Sequence, residues 1–280
     1  MNAAATTSQN SPAGWSRGRL VGILAAAGLV AAVLLCALAY GVYLAFSGVH
    51  TATKAPSGGT DESSLPEAGP QRRDAIAAAP MLEVPPAAAK PTEQASSVSP
   101  TINVPTGTAV QGPALVATGY PRTPEGAIGQ LAQIDAAVLQ SMSVATAREV
   151  HAAWALPGGA DADSWWITTS VRAFLGGAGM GQVKDPAAWV RVEPAAALVK
   201  GVDGQDWTAV CVLMKVTATY QSEGQTALGH CERMQWVGGR WMLAPGTPPA
   251  PAPSTWPQTP LAVEAGWATW VTTETETPGQ

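Results

Sequence analysis

Residues 206–245 read DWTAVCVLMKVTATYQSEGQTALGHCERMQWVGGRWMLAP, and this stretch decides the fold class. Val210, Val212, Met214, Val216, Ala218 and Tyr220 alternate onto one face, the two-residue period of an extended strand. Residues 226–237 and 240–245 continue as strands. Two-residue turns are expected at Glu223-Gly224 and Gly238-Gly239, where glycine supplies the positive φ of a tight hairpin. The second turn sets Trp236 opposite Trp241. The first sets Lys215 opposite Glu232, an opposite-charge pair that supports this register. Upstream, AWVRVEPAAALVKG (188–201) reads as another strand, with Pro194 marking an edge or a bulge.

Helical spacing precedes this meander. In RTPEGAIGQLAQIDAAVLQSM (122–142), Ile128, Leu131, Ile134, Val138 and Met142 recur at three- and four-residue steps. Thr123 is a natural N-cap, Pro124 fits the first helical position and Glu125 the first turn. A second helix is expected over 144–155 after Ser143, stopped by Pro157-Gly158-Gly159. A third starts near Ser164, carries Trp165, Ile167, Val171 and Phe174, and ends at Gly176-Gly177. Helices followed by an antiparallel meander make an α+β domain over 120–245, with three helices covering one face of a curved sheet.

The rest of the chain reads as anchor and spacer. Residues 20–46, LVGILAAAGLVAAVLLCALAYGVYLAF, hold no charge and exceed the ~20 apolar residues that span a bilayer. This is expected to be a single transmembrane helix. Arg17 and Arg19 precede it, in a stub (1–19) without acids, so the N-terminus is expected in the cytoplasm and the domain outside. Residues 47–119 are rich in Pro, Ala, Ser, Thr and Gly and show no period; a disordered linker is expected. Another Pro-rich linker is expected at 246–258, an amphipathic helix at 259–271 and a disordered tail at 272–280. On that helix Trp267 and Trp270 are the partner-binding candidates, because tryptophan is the residue most often found in interface hot spots.

Composition limits the chemistry. The 280 residues carry a net charge of -5, and only 12% are charged. No basic stripe appears, so the soluble domain is not expected to contact nucleic acid directly. No phosphate-binding loop, dinucleotide fingerprint, HExxH motif or nucleophile elbow is present. No catalytic residue, cofactor or metal site is therefore expected. His50 reads as solvated near the membrane, and His151, beside Glu149, as lying on a polar helix face. His230 and Glu232 share a strand face and resemble an acid–base pair, but no third group is apparent. Under the Glu223-Gly224 turn, Cys211 faces Trp236 and Cys231 faces Val216. The two cysteines are then ~17 Å out of register, and two unpaired, buried thiols are expected.

The stretches 122–142, VCVLMKVTATY (210–220), GHCERMQWVGGRWMLAPG (229–246) and PSTWPQTPLAVEAGW (253–267) resemble a family of bitopic, membrane-anchored proteins of actinobacterial conjugation-type gene clusters. The layout is similar too: cytoplasmic stub, single span, Pro/Ala-rich linker, small α+β domain. The nearest functional analogue is the bitopic assembly factor of type IV secretion systems. That resemblance implies a cystatin-like cone of the nuclear transport factor two type. It also implies a non-catalytic scaffold subunit of an envelope transfer machine, whose partners are the membrane, other subunits of the assembly and further copies of itself as a homo-oligomer. An extracytoplasmic small-ligand-binding module and a ketosteroid-isomerase-like enzyme are the alternatives.

Overall fold

The computed structural model describes residues 65–108 and 110–273. The expected stub and span (1–46) lie outside them. Among the described residues no helix is long and apolar enough to cross a membrane.

The described chain is α+β, built on one strongly curled six-stranded sheet. Its elements are helix α1 (Pro70–Ala78), strands β1 (Thr101–Pro105), β2 (Val110–Gln111) and β3 (Ala117–Thr118), and helices α2 (Pro124–Ser141), α3 (Val144–Trp154) and α4 (Trp166–Gly177). Then come β4 (Trp189–Val202), β5 (Trp207–Tyr220), β6 (Ser222–Val237) and β7 (Arg240–Leu243), a one-turn helix α5 (Pro260–Glu264) and β8 (Ala268–Thr273). The sheet order is β1-β8-β4-β5-β6-β7, with β2 and β3 paired separately. β1 runs parallel to β8, so the sheet is mixed. Register shifts at Pro194/Ala196 and Val199/Gly201 bend β4 and increase its twist.

Local chemistry explains α2 and α3. Thr123 caps α2 by accepting from Gly126 N, with Pro124 in the first turn. Ser143 caps α3 in the same way from Thr146 N. Ile128, Leu131, Ile134 and Val138 of α2, with Val150 and Trp154 of α3 and Val171 of α4, pack on Val210, Val212 and Met214 of β5.

A cystatin-like cone, with helices on one face and a disordered linker before it, is not what forms. The phase of β5 opposite the expected one is also apolar. Ala209, Cys211 and Leu213 are fully buried on the second face of the sheet. Residues 65–100 and 246–267 cover that face. Ile76 of α1 is buried against β4, where a Cβ on Gly201 would lie 2.8 Å from it. Asp74 binds Arg233 at 2.7 Å, Lys200 Nζ donates to Ala77 O at 2.6 Å, and Trp256 N donates to Ala88 O at 2.6 Å. The segment expected to be a disordered linker is therefore packed structure from Leu65 onward. Proline explains the discrepancy: a Pro-rich segment has less conformational freedom to lose, so a few apolar anchors suffice to order it. TINV (101–104) likewise forms the core of β1, with Val104 buried.

Two further expectations are corrected. Gly266, at φ 88°, ends the C-terminal helix after one turn, and the β-branched run that follows becomes β8 instead of continuing a helix to 271. The β5–β6 hairpin turns at Gln221, not at Glu223-Gly224, which moves the register by five residues. Lys215 then faces Ala227 and pairs with Glu193 at 3.4 Å, while Cys211 stands directly opposite Cys231. The two thiols expected to be free are joined in a disulfide. The β6–β7 turn does fall at Gly238-Gly239, both with positive φ, and Trp236 meets Trp241 edge-on at 5.5 Å.

The disulfide closes a loop spanning 20 residues, so reduction is expected to lower unfolding stability by about 3 kcal/mol. Intact mass without reductant should fall below the dithiol mass by a pair of hydrogens. A dithiol mass in freshly purified, unreduced protein would contradict the bond.

Candidate functional site

Where β7 stops short, a cleft of about 270 Å³ opens along β6. One wall is the α3–α4 connection with Trp165 and Trp166; the other is the proline run at Pro248, Pro249 and Pro251. The floor is residues 229–233 of β6.

His230 and Glu232, two residues apart, point from β6 to the helix-covered face, as the strand period requires. The third group is Asp135, in the middle of α2 and fully buried. His230 Nδ1 lies 3.0 and 2.9 Å from the two Asp135 oxygens, and its Nε2 lies 3.1 Å from Glu232 Oε1. Trp165 Nε1 donates to the same Glu232 oxygen at 2.8 Å. Trp166 stacks on the imidazole at 4.9 Å, within 13° of parallel. Burial by itself would lower the His230 pKa, but the carboxylates of Asp135 and Glu232 override it and push the pKa up to about 10. Burial raises the Asp135 pKa, against the opposing pull of His230.

His230 is therefore an imidazolium at neutral pH, with both ring N–H groups donating to carboxylates. Both ring nitrogens are engaged by carboxylates in this arrangement. His230 ties α2 to β6 and, through Glu232, to Trp165. Glu232 keeps one oxygen, Oε2, without a hydrogen-bond partner among the described residues, on a side chain that is 12% exposed. The expected Glu232–Lys215 pair is not formed.

The other sequence candidates are placed as follows. Trp267 is buried on the second face of the sheet and donates from Nε1 to Pro253 O at 3.0 Å. Trp270 lies on β8, half-buried, packed on the helix-covered side, with Nε1 donating to Thr272 Oγ1 at 3.0 Å. The two do not share a face. His151 is half-buried and lines the cleft, its ring 5.4 Å from Trp165, in place of the polar helix face expected for it. His50 lies outside the described residues. Among the described residues no group of three metal-ligating side chains is placed to hold a metal ion.

Sequence reasoning missed Asp135. Its signal was an acid four residues after Leu131 and four before Leu139, inside an otherwise apolar helix stripe. Comparison of the chain with protein families, with curated proteins and with solved structures finds no match.

Proposed function

We propose that this chain is a membrane-tethered, extracytoplasmic subunit that works by binding and not by catalysis, in an envelope transfer machine of the conjugation, type IV secretion-like kind. The observation that supports the binding half is that both ring nitrogens of His230, on the floor of the cleft, are held by carboxylates, which favours recognition over proton transfer at that residue. The uncharged run at 20–46 supports the tether. The Cys211–Cys231 disulfide supports an oxidising compartment. The conjugation setting rests on the resemblance of the quoted stretches and on the layout of stub, span and domain. A tethered domain gains effective concentration, so weak contacts with other subunits or with further copies act together.

A second reading, a small-ligand-binding module, is favoured by the cleft itself, with its aromatic wall and the unpartnered Glu232 oxygen.

Deleting the gene is expected to abolish DNA transfer between cells, and a copy lacking residues 20–46 should fail to restore it. Transfer and envelope secretion that continue undiminished after deletion would overturn the assembly role. On intact cells an impermeant maleimide should label a cysteine placed at 110 and spare one placed at 10. The reverse pattern would overturn the topology.

A further inference from the structure

Residues 229–233 of β6 line the cleft with backbone as well as side chains. Along an antiparallel strand, successive residues turn their N–H and C=O alternately to one neighbour and the other. Gly229 N donates to Ser254 Oγ at 3.0 Å, and Arg233 O accepts from Ala244 N at 2.7 Å. These odd-numbered residues therefore face away from β5. Trp236 N, of the other parity, donates to Asp206 O on the β5 side at 2.8 Å. Cys231 follows Gly229 and Arg233: its Cα is 4.0 Å from that of Cys211, the close spacing of a pair that shares no backbone hydrogen bonds.

β7 pairs no further than Leu243 with Met234. The Gly229 carbonyl, the Cys231 N–H and carbonyl, and the Arg233 N–H thus form a row of acceptor, donor, acceptor, donor. Among the described residues none hydrogen-bonds to these four groups, and the row is bounded by Ser254 on Gly229 at one end and Ala244 on Arg233 at the other. Across the cleft, Pro248, Pro249 and Pro251 have no N–H and Ala250 gives its own to Ala77 O, while Ala252 and Pro253 pack against Gly229 at the far end. An unpaired edge of this kind is a template for another strand.

We infer that the β6 edge at residues 229–233 accepts an extended peptide by strand addition, and that the peptide carries a lysine or arginine that reaches Glu232. The charge follows from the site. Asp135, Glu232 and the His230 imidazolium sum to one negative charge, and Glu232 Oε2 is the acceptor left open. Arg233 does not cancel it. Its guanidinium is turned to the other face, bound to Asp74 at 2.7 Å and set 5.4 Å from the Trp207 ring centroid. On an added strand, the residue beside Glu232 places its side chain on the same face, between Glu232 and the paired tryptophans. Backbone pairing supplies affinity and the basic side chain supplies selection.

The inference rests on the domain being a binding module, and its test is separate from the transfer assay. A fluorescein-labelled heptapeptide of alternating valine and lysine is titrated against the purified full-length chain by fluorescence anisotropy. Saturable binding is expected. N-methylation of the peptide nitrogens that face the Gly229 and Cys231 carbonyls removes up to two hydrogen bonds and should weaken binding by about tenfold. A valine–glutamate peptide should bind at least about tenfold more weakly, and Glu232→Gln should narrow that gap. The second measurement is hydrogen exchange: the Cys231 and Arg233 amides should exchange about tenfold more slowly with peptide bound. No saturable binding, or equal affinity for the N-methylated peptide in both registers, overturns the inference. So does unchanged exchange at those two amides. Protection that rises with protein concentration alone would assign the edge to a second copy of the chain and overturn the basic-peptide assignment. Peptide binding with transfer unaffected by deletion would refute the transfer role and leave the groove standing.

Discussion

Asp135→Ala is expected to lower unfolding stability by about 3–5 kcal/mol, because it leaves the buried His230 imidazolium without its main counter-charge. Both Asp135 oxygens face His230 Nδ1 within 3.0 Å, and neither residue reaches solvent in any substantial part. Replacing Asp135 and His230 together by leucine should recover part of the loss, since an apolar pair of similar volume removes both fully buried charges and leaves Glu232 with the Trp165 N–H. The same geometry sets a pH dependence. The folded pKa of His230 is raised to about 10, from an unfolded value near 6.5. The folded state therefore holds a proton that the unfolded state releases. The stabilisation is fully present below pH ~6.5 and disappears as pH rises through ~10, a fall of a few kcal/mol in the wild-type chain. Asp135→Ala should flatten that slope. Urea unfolding at pH 6 and pH 10 measures both effects. A cost below about 1 kcal/mol, or a wild-type stability that does not fall between the two pH values, would show that the triad is not an ion-paired clamp.

How much of this was legible in the sequence depends on which face of β5 is read. Val210, Val212, Met214 and Val216 announce a strand and a core. The caps at Thr123 and Ser143 locate α2 and α3 to the residue. The opposite phase, Ala209, Cys211 and Leu213, carried an equal message: a strand apolar on both faces is central and covered twice. The covering comes from segments whose composition reads as disorder, and composition carries no information about where Ile76 or Trp267 docks. The hairpin went wrong for a local reason. Gly224 drew the turn, whereas the chain reverses at Gln221, a non-glycine residue with φ 60°. That one displacement hid the disulfide and invented a Lys215–Glu232 pair. The site suffered from distance. His230 and Glu232 are neighbours in sequence, but Asp135 is 95 residues from His230 and becomes its partner only when α2 lies across the sheet. The open edge of β6 was illegible for another reason, since it depends on where β7 ends.

Trp267→Ala is expected to cost about 3–5 kcal/mol, the range for deleting a large aromatic side chain from a core. In a domain of this size that corresponds to a fall of roughly 10 °C in Tm. The ring is 2% exposed and packs among Ala196, Leu198, Leu213 and Ala262 on the second face of the sheet, and its N–H is satisfied by Pro253 O. Its removal opens a cavity beneath the Pro-rich covering and frees that carbonyl, so the segment 246–267 should loosen as well. Trp267→Phe should retain most of the packing and lose only the hydrogen bond, about 1 kcal/mol. Trp270→Ala should cost less, because the ring is half-buried and its bond to Thr272 is local to one strand. The contrast separates packing from docking. If Trp267→Ala folds within about 1 kcal/mol of wild type yet loses a partner, the ring is an interface anchor and its burial in the described structure is not its working state. If stability falls and partner binding by the remaining folded fraction is unchanged, Trp267 holds the covering segment on the sheet, and the search for a docking surface belongs at the β6 edge instead.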